Sequence, residues 1–202
     1  MNAKEGLVAV YDRPNAPFEL RMFPIREPRP GEVLVKVRMC TICRSDIHSY
    51  LGHRPNPTPG VLGHEIIGTI VELGEGIERD MRGDPLRPGD RITWSEYFIP
   101  GDNYHTEVLD TPQKSPGVDK YGHMAVTTEP HHHGGFGQYC YILPRSWILR
   151  LPDEGIAARN GIRQRPGTIG IEWIDAQDLA EQLPTILRIP QRATHATCGR
   201  HT

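Results

Sequence analysis

Residues 32–39 alternate: Val33, Val35, Val37 and Met39 fall on one face, with Lys36 and Arg38 on the other. A period of two predicts a half-buried strand, and Pro30-Gly31 supplies the turn before it. Residues 66–73 predict a second strand, in which Gly68 signals a bulge or a close backbone approach. Shorter apolar runs at 6–11, 18–22, 91–94, 136–143 and 147–151 predict further strands. Turn clusters separate them, including Arg13-Pro-Asn-Ala-Pro and a Gly/Pro-rich stretch at 51–61. Short strands punctuated this often predict a mainly β domain, a compact barrel or sandwich. Residues 95–133 read as a polar loop. Further on, 168–173 predict a strand and 176–187 a helix capped by Asp175, with Leu179, Leu183, Ile186 and Leu187 as its apolar stripe. Pro184 kinks that helix, and 188–202 have the composition of a disordered end.

Composition narrows the function classes. The chain has 202 residues, enough for one domain and a remainder. A net charge of -2 gives no electrostatic case for nucleic acid or an anionic membrane as partner. No apolar run approaches the ~18 residues of a membrane span. The start lacks a basic segment followed by an apolar one, the mark of a signal peptide. Four cysteines are too few for a disulfide framework and fit a cytoplasmic protein with reduced thiols.

Candidate chemistry sits in Cys40-Thr-Ile-Cys43-Arg-Ser-Asp-Ile-His48 and, about twenty residues on, Gly63-His64-Glu65. A thiol, an imidazole and a carboxylate are the donors zinc takes, and a catalytic zinc keeps three of them plus one open position. Cys43 and His64 are the expected ligands. Ser45 and His48 share a face if the segment is helical, so a hydroxyl and an imidazole could pass a proton outward. Taken singly, Cys43 reads more simply as a buried small hydrophobe and His64 as a core histidine. Their combination favours a metal.

These motifs resemble the zinc-containing medium-chain dehydrogenase/reductase family, the zinc alcohol dehydrogenases. The resemblance runs from about Gly6 to about Asp153, and includes Pro30-Gly-Glu-Val-Leu-Val-Lys-Val37, Leu62-Gly-His-Glu-Ile-Ile-Gly-Thr-Ile-Val71, Arg87-Pro-Gly-Asp-Arg-Ile92 and Gly134-Gly-Phe-Gly-Gln-Tyr139. It implies a GroES-like, partly open β-barrel with short helices over residues 1–153. Within it, Cys43 and His64 would bind a catalytic zinc, and Glu65 would stand beside it, able to enter its shell. Asp46 would orient the ligand histidine, Ser45 and His48 would relay the alcohol proton, and Arg44 would contact the pyrophosphate of NAD or NADP. Asp80-Met-Arg-Gly-Asp-Pro-Leu-Arg-Pro-Gly-Asp-Arg-Ile and Lys120-Tyr-Gly-His are similar to a subgroup associated with phosphonate catabolism.

Departures from the family pattern matter as much. Relatives often carry four cysteines for a structural zinc in the region matching 95–133; here that stretch has none, and Ser115 stands where the last would align. No structural zinc is expected there. His131-His132-His133 reads as a surface cluster rather than a metal site. Past Glu154 the pattern breaks: Gly161 stands about where a third ligand, a cysteine, would fall, and no Gly-x-Gly-x-x-Gly fingerprint appears. Residues 154–202 therefore read as an aberrant tail, and the nucleotide-binding Rossmann domain as absent by truncation. The expected function is a zinc-dependent, NAD(P)-linked alcohol dehydrogenase-like oxidoreductase acting on a small alcohol or aldehyde, weak or inactive alone and able to form a homo-oligomer. The alternatives are a non-enzymatic zinc-binding or oligomerising β-barrel, or a fragment with no independent role.

Overall fold

The computed structural model describes residues 5–99 and 101–152. The strand, helix, empty ligand position and disordered end expected beyond Asp153 lie outside the described residues.

Two sheets make the core. One is three-stranded, in the order β2 (Glu19–Pro24), β1 (Glu5–Tyr11), β4 (Gly60–Val61). The other is five-stranded: β10 (Ile148–Arg150), β6 (Arg91–Trp94), β5 (Glu65–Leu73), β3 (Val33–Thr41), β9 (Tyr139–Ile142). Every named pairing is antiparallel. A single bridge, Val8 to Gly137, ties β1 to the segment entering β9, so the two sheets approach each other without closing. This is the mainly β, partly open barrel that the strand pattern and the resemblance imply.

β3 is the spine. Val33, Val35 and Val37 are buried as the alternation requires. Met39 is not: a register shift between Val37 and Met39 inserts a bulge, after which Cys40 and Thr41 become the buried positions. Opposite the bulge lies Gly68, where a Cβ would come within 2.1 Å of the Val35 side chain. The glycine thus answers to both a bulge and a close approach. Val10, Val61, Ile70, Ile92 and Phe136 complete the apolar interior between the sheets. Full burial of one such side chain stabilises by roughly 1.5–3 kcal/mol.

Residues 95–133 are more ordered than their polarity predicts. They form a hairpin of β7 (Tyr97–Phe98) and β8 (Asp119–Lys120), a short helix α2 (Tyr104–Glu107) and a turn of 3-10 helix at Pro112–Lys114. Ser115 is buried and its hydroxyl bonds Asn103, a side chain that also caps α2. Phe98 and Trp94 each pack edge-on against Tyr121, which anchors this lobe to the barrel.

Candidate metal centre

The bulge in β3 sets up the site. Beyond Thr41 the chain turns into helix α1 (Arg44–Tyr50), for which Cys43 is the N-cap. The Cys43 thiol accepts the Ser45 N–H at 3.2 Å, and Asp46 Oδ2 accepts the Cys43 N–H at 2.9 Å. This reciprocal capping box fixes the Cys43 and Asp46 side chains at once. His64 comes from the turn between β4 and β5. Gly63 makes that turn with φ +87, and a Cβ there would meet Phe136 at 2.7 Å and Cys40 Sγ at 2.8 Å. Its N–H donates to Asp46 Oδ1 at 3.1 Å, tying the histidine turn to α1.

Three donor atoms converge. Cys43 Sγ lies 3.2 Å from His64 Nε2, Ser45 Oγ lies 3.2 Å from the same nitrogen, and Sγ and Oγ are 2.8 Å apart. The ring of His64 is 4% exposed. Its other nitrogen, Nδ1, makes no aligned hydrogen bond but lies 3.5 Å from Asp46 Oδ1. Potential ligand atoms of Cys43, Asp46 and His64 all fall within 4.8 Å of one another. Asp46 nonetheless faces Nδ1, on the far side of the ring, and both its oxygens already accept backbone N–H groups. An acid at Nδ1 favours the tautomer that leaves Nε2 a free lone pair, the arrangement metal-bound histidines use.

The donor set fits zinc. A thiolate at ~2.3 Å and an imidazole nitrogen at ~2.0 Å from a tetrahedral ion stand roughly 3.5 Å apart, close to the Cys43–His64 spacing of 3.2 Å.

The other expected residues are placed as follows. Glu65 opens β5 and its carboxylate accepts the Thr41 hydroxyl, turned away from the three donors. His48 lies on α1 but faces outward, Nε2 to Arg44 and Nδ1 to His53 at 3.4 Å. Among the described residues no hydrogen bond joins it to Ser45. Arg44 is exposed at the mouth of the helix.

Glu96 carried no signal in the sequence reading. Its Oε2 lies 3.8 Å from His64 Nε2 and 3.1 Å from Lys120 Nζ. β5 and β6 pair with Ile67 opposite Thr93; continuing that register by three residues brings Glu96 opposite His64. Burial raises the carboxyl pKa, but the Lys120 hydrogen bond and charge outweigh it, and the net shift is downward. A cavity of about 410 Å³ opens here, lined by Thr41, His64, Glu65, Thr93, Trp94 and Glu96. On its edge His123 lies against the His64 ring, with centroids 6.0 Å apart. Burial, then the charges of Lys120 and Arg54, push His123 down to about 4. A second cavity of about 440 Å³, with Tyr97, Arg145 and Trp147 in its walls, holds none of these donors.

The His131-His132-His133 run is no surface cluster. His132 and His133 are fully buried, and His132 packs edge-on against Phe23 and Tyr139. Nε2 of each faces a backbone carbonyl, Phe23 at 3.3 Å and Ala125 at 3.1 Å, while His131 Nδ1 faces Val126 at 2.8 Å. Their remaining nitrogens, Nδ1 of His132 and of His133, are buried without a partner, and neither joins a group of three metal-type donors among the described residues.

Comparison with known proteins decides the family. Residues 29–153 match the alcohol dehydrogenase GroES-like domain. This chain belongs to that family. Among curated proteins it is similar to (R,R)-butanediol dehydrogenase of Bacillus subtilis, 29% identical over 80% of this chain and 45% of that protein. A solved alcohol dehydrogenase from Thermotoga maritima superposes with a TM-score of 0.70 at 28% identity, covering 76% of this chain and 42% of the other. Acetophenone reductase of Geotrichum candidum, solved in complex with NAD, gives 0.60 at 26% identity over 77% and 42%. The chain thus spans less than half the length of these relatives. The resemblance to the zinc-containing medium-chain dehydrogenases holds, and zinc and NAD(P) are the groups of that family. No helix among the described residues is long and apolar enough to cross a membrane.

Proposed function

We propose that this chain is the metal-holding, substrate-facing part of a zinc-dependent, NAD(P)-linked alcohol dehydrogenase. The observation that carries the reading is the convergence of Cys43 Sγ, Ser45 Oγ and His64 Nε2 within 2.8–3.2 Å beside an open cavity. Cys43 and His64 would hold the zinc. Bound there, zinc polarises the oxygen of a substrate alcohol and lowers the pKa of its hydroxyl.

The chain's own residues do the rest of this half. Asp46 keeps the His64 ring aimed and its Nδ1 facing an acceptor. Ser45, seated among the metal donors, takes the proton of the substrate hydroxyl. His48 lies on the outer side of the same helix and accepts that proton through an intervening water. Glu65 stands beside the metal, its carboxylate held on the Thr41 hydroxyl. Arg44, exposed beside this face, is the contact for the cofactor pyrophosphate.

Hydride transfer also needs the nicotinamide held at ~3–3.5 Å from the alcohol carbon, and such positioning accounts for ~7–11 kcal/mol of a barrier. All named strand pairs among the described residues are antiparallel, whereas a dinucleotide cradle is built on parallel βαβ units. Residues 5–152 therefore supply the metal side of the reaction and not the cofactor side.

The test is to load the purified chain with zinc, add NAD or NADP and a panel of primary and secondary alcohols, and follow reduced nicotinamide. The expected result is zinc bound through Cys43 with little or no turnover. Turnover in the ordinary ~1–10³ per second range, lost in Cys43→Ser, would refute that division of labour. Zinc binding indifferent to both Cys43→Ser and His64→Ala would refute the metal site itself.

A further inference from the structure

We propose that Glu96 is the third protein ligand of the metal held by Cys43 and His64, with Lys120 holding its carboxylate in reach. The inference rests on the metal reading above and adds a residue to that site.

Two carboxylates line the cavity, and the structure distinguishes them. Glu65 is next to His64 in sequence but spends its carboxylate on the Thr41 hydroxyl. Glu96 is distant in sequence, yet the β5–β6 register sets it across from His64. Its Oε2 stands 3.8 Å from Nε2. Two oxygen or nitrogen ligands at ~2.0–2.1 Å on a tetrahedral ion would be roughly 3.3 Å apart. Glu96 is within about half an ångström of that spacing from Nε2, and to share an ion with Cys43 its side chain would swing further inward, from outside the 4.8 Å group of Cys43, Asp46 and His64. Glu65 would first have to break a hydrogen bond.

Chemistry agrees with position. Zinc takes carboxylate oxygen alongside thiolate and imidazole, and a set of one sulfur, one nitrogen and one oxygen leaves a fourth position for substrate. The Glu96 carboxylate is partly buried and has one cationic partner, Lys120, itself 12% exposed and stacked over the Tyr97 ring at 5.5 Å. Without a metal this lysine balances a carboxylate that would otherwise face the thiol side of the site unpaired. With a metal bound, Glu96 would help to hold it while Lys120 keeps the carboxylate oriented. A lysine on the outer side of a ligand carboxylate orients it as outer partners of metal ligands do.

The test uses cobalt(II) as a spectroscopic stand-in for zinc, on the full chain. Cobalt bound to Cys43 gives a thiolate charge-transfer band, and its ligand-field bands report coordination number and donor type. Glu96→Gln is expected to keep the charge-transfer band, shift the ligand-field bands and weaken zinc by at least the ~10–100-fold known for losing an outer partner. Glu65→Gln should leave both readouts as in the parent chain. Glu96→Asp, which keeps the charge, should recover part of the affinity, so a misfolded Gln variant would not leave the question open. Unchanged affinity and bands in both Glu96 variants would overturn the proposal while leaving the Cys43–His64 site standing. So would loss in Glu65→Gln alone. If Cys43→Ser binds cobalt as the parent does, with no charge-transfer band in either, the underlying metal reading fails instead.

Discussion

His64 and the histidines at 131–133 offer a metal the same ring, and the barrel buries both groups. His64 is 4% exposed, His132 and His133 0%. They differ in what their nitrogens face. His64 Nε2 has a thiol and a hydroxyl at 3.2 Å, themselves in contact, and a carboxylate at 3.8 Å. The three consecutive histidines look at three separate backbone carbonyls, Phe23 on β2 and the neighbouring Ala125 and Val126. A run of ligand-type residues is thus spent on holding a loop beneath β1 and β2, while scattered ones gather into a site. Convergence rather than local density makes a metal centre, and convergence is a property of strand register and turns.

The first way to break this contrast is also the largest. Cys43→Ser should weaken zinc about a thousandfold or more, since binding draws on each deprotonated ligand. Replacing His131 with Gln should leave zinc affinity where it was. Isothermal titration of both variants checks this, and the reverse pattern would make the histidine run the metal site after all.

A pH titration of stability reads the other side of the comparison. Burial pushes His132 and His133 down to about 4, opposed by their carbonyl contacts and helped by the charge of His131. Their unfolded value is ~6.5, so the unfolded chain binds more protons between those limits. The stability they contribute is complete above about pH 6.5 and drains as pH falls towards 4, by several kcal/mol in order of magnitude. Denaturant melts between pH 7 and 4.5 measure it. A flat profile would mean the two rings are not buried neutral.

Asp46→Asn sharpens the first result. It should cost roughly 10–100-fold in zinc affinity by releasing the His64 ring, and about 0.5–2 kcal/mol of stability through the capping box. Unaltered affinity would show that His64 is aimed by its turn alone. The smallest effect is expected at His48→Gln. Its ring faces Arg44 and His53, so zinc affinity should change less than about twofold; a larger change would put His48 inside the donor cluster.

How much of this could be read from the chain depended on the range of the interaction. Val33, Val35 and Val37 declared β3 through local alternation, and Cys43 and His64 declared themselves through donor type and motif. Met39 did not follow its alternation, because a bulge opposite Gly68 shifts the phase by one residue. His132 and His133 misled because burial of a polar ring is decided by what packs over it, for His132 the ring of Phe23 from distant β2 and that of Tyr139 at the start of β9. Glu96 was silent for a related reason. It sits in a polar stretch without period, and only the β5–β6 register brings it to His64. Counting outward from a paired Ile67 and Thr93 was the one available signal, and it requires knowing that those strands are partners.

The double duty of Cys43 has a consequence for how the chain meets oxidants. Cys40 and Cys140 are buried in the core, and burial holds both thiols well above their usual range, which keeps them unreactive. Cys43 is only half-buried, and its sulfur both caps α1 and faces His64. Peroxide or an alkylating reagent should therefore take Cys43 first among the described thiols, a selectivity peptide mass spectrometry can read. One modified sulfur would then cost the chain its helix cap together with a ligand of the proposed metal, and zinc bound there would double as a protecting group for the thiol.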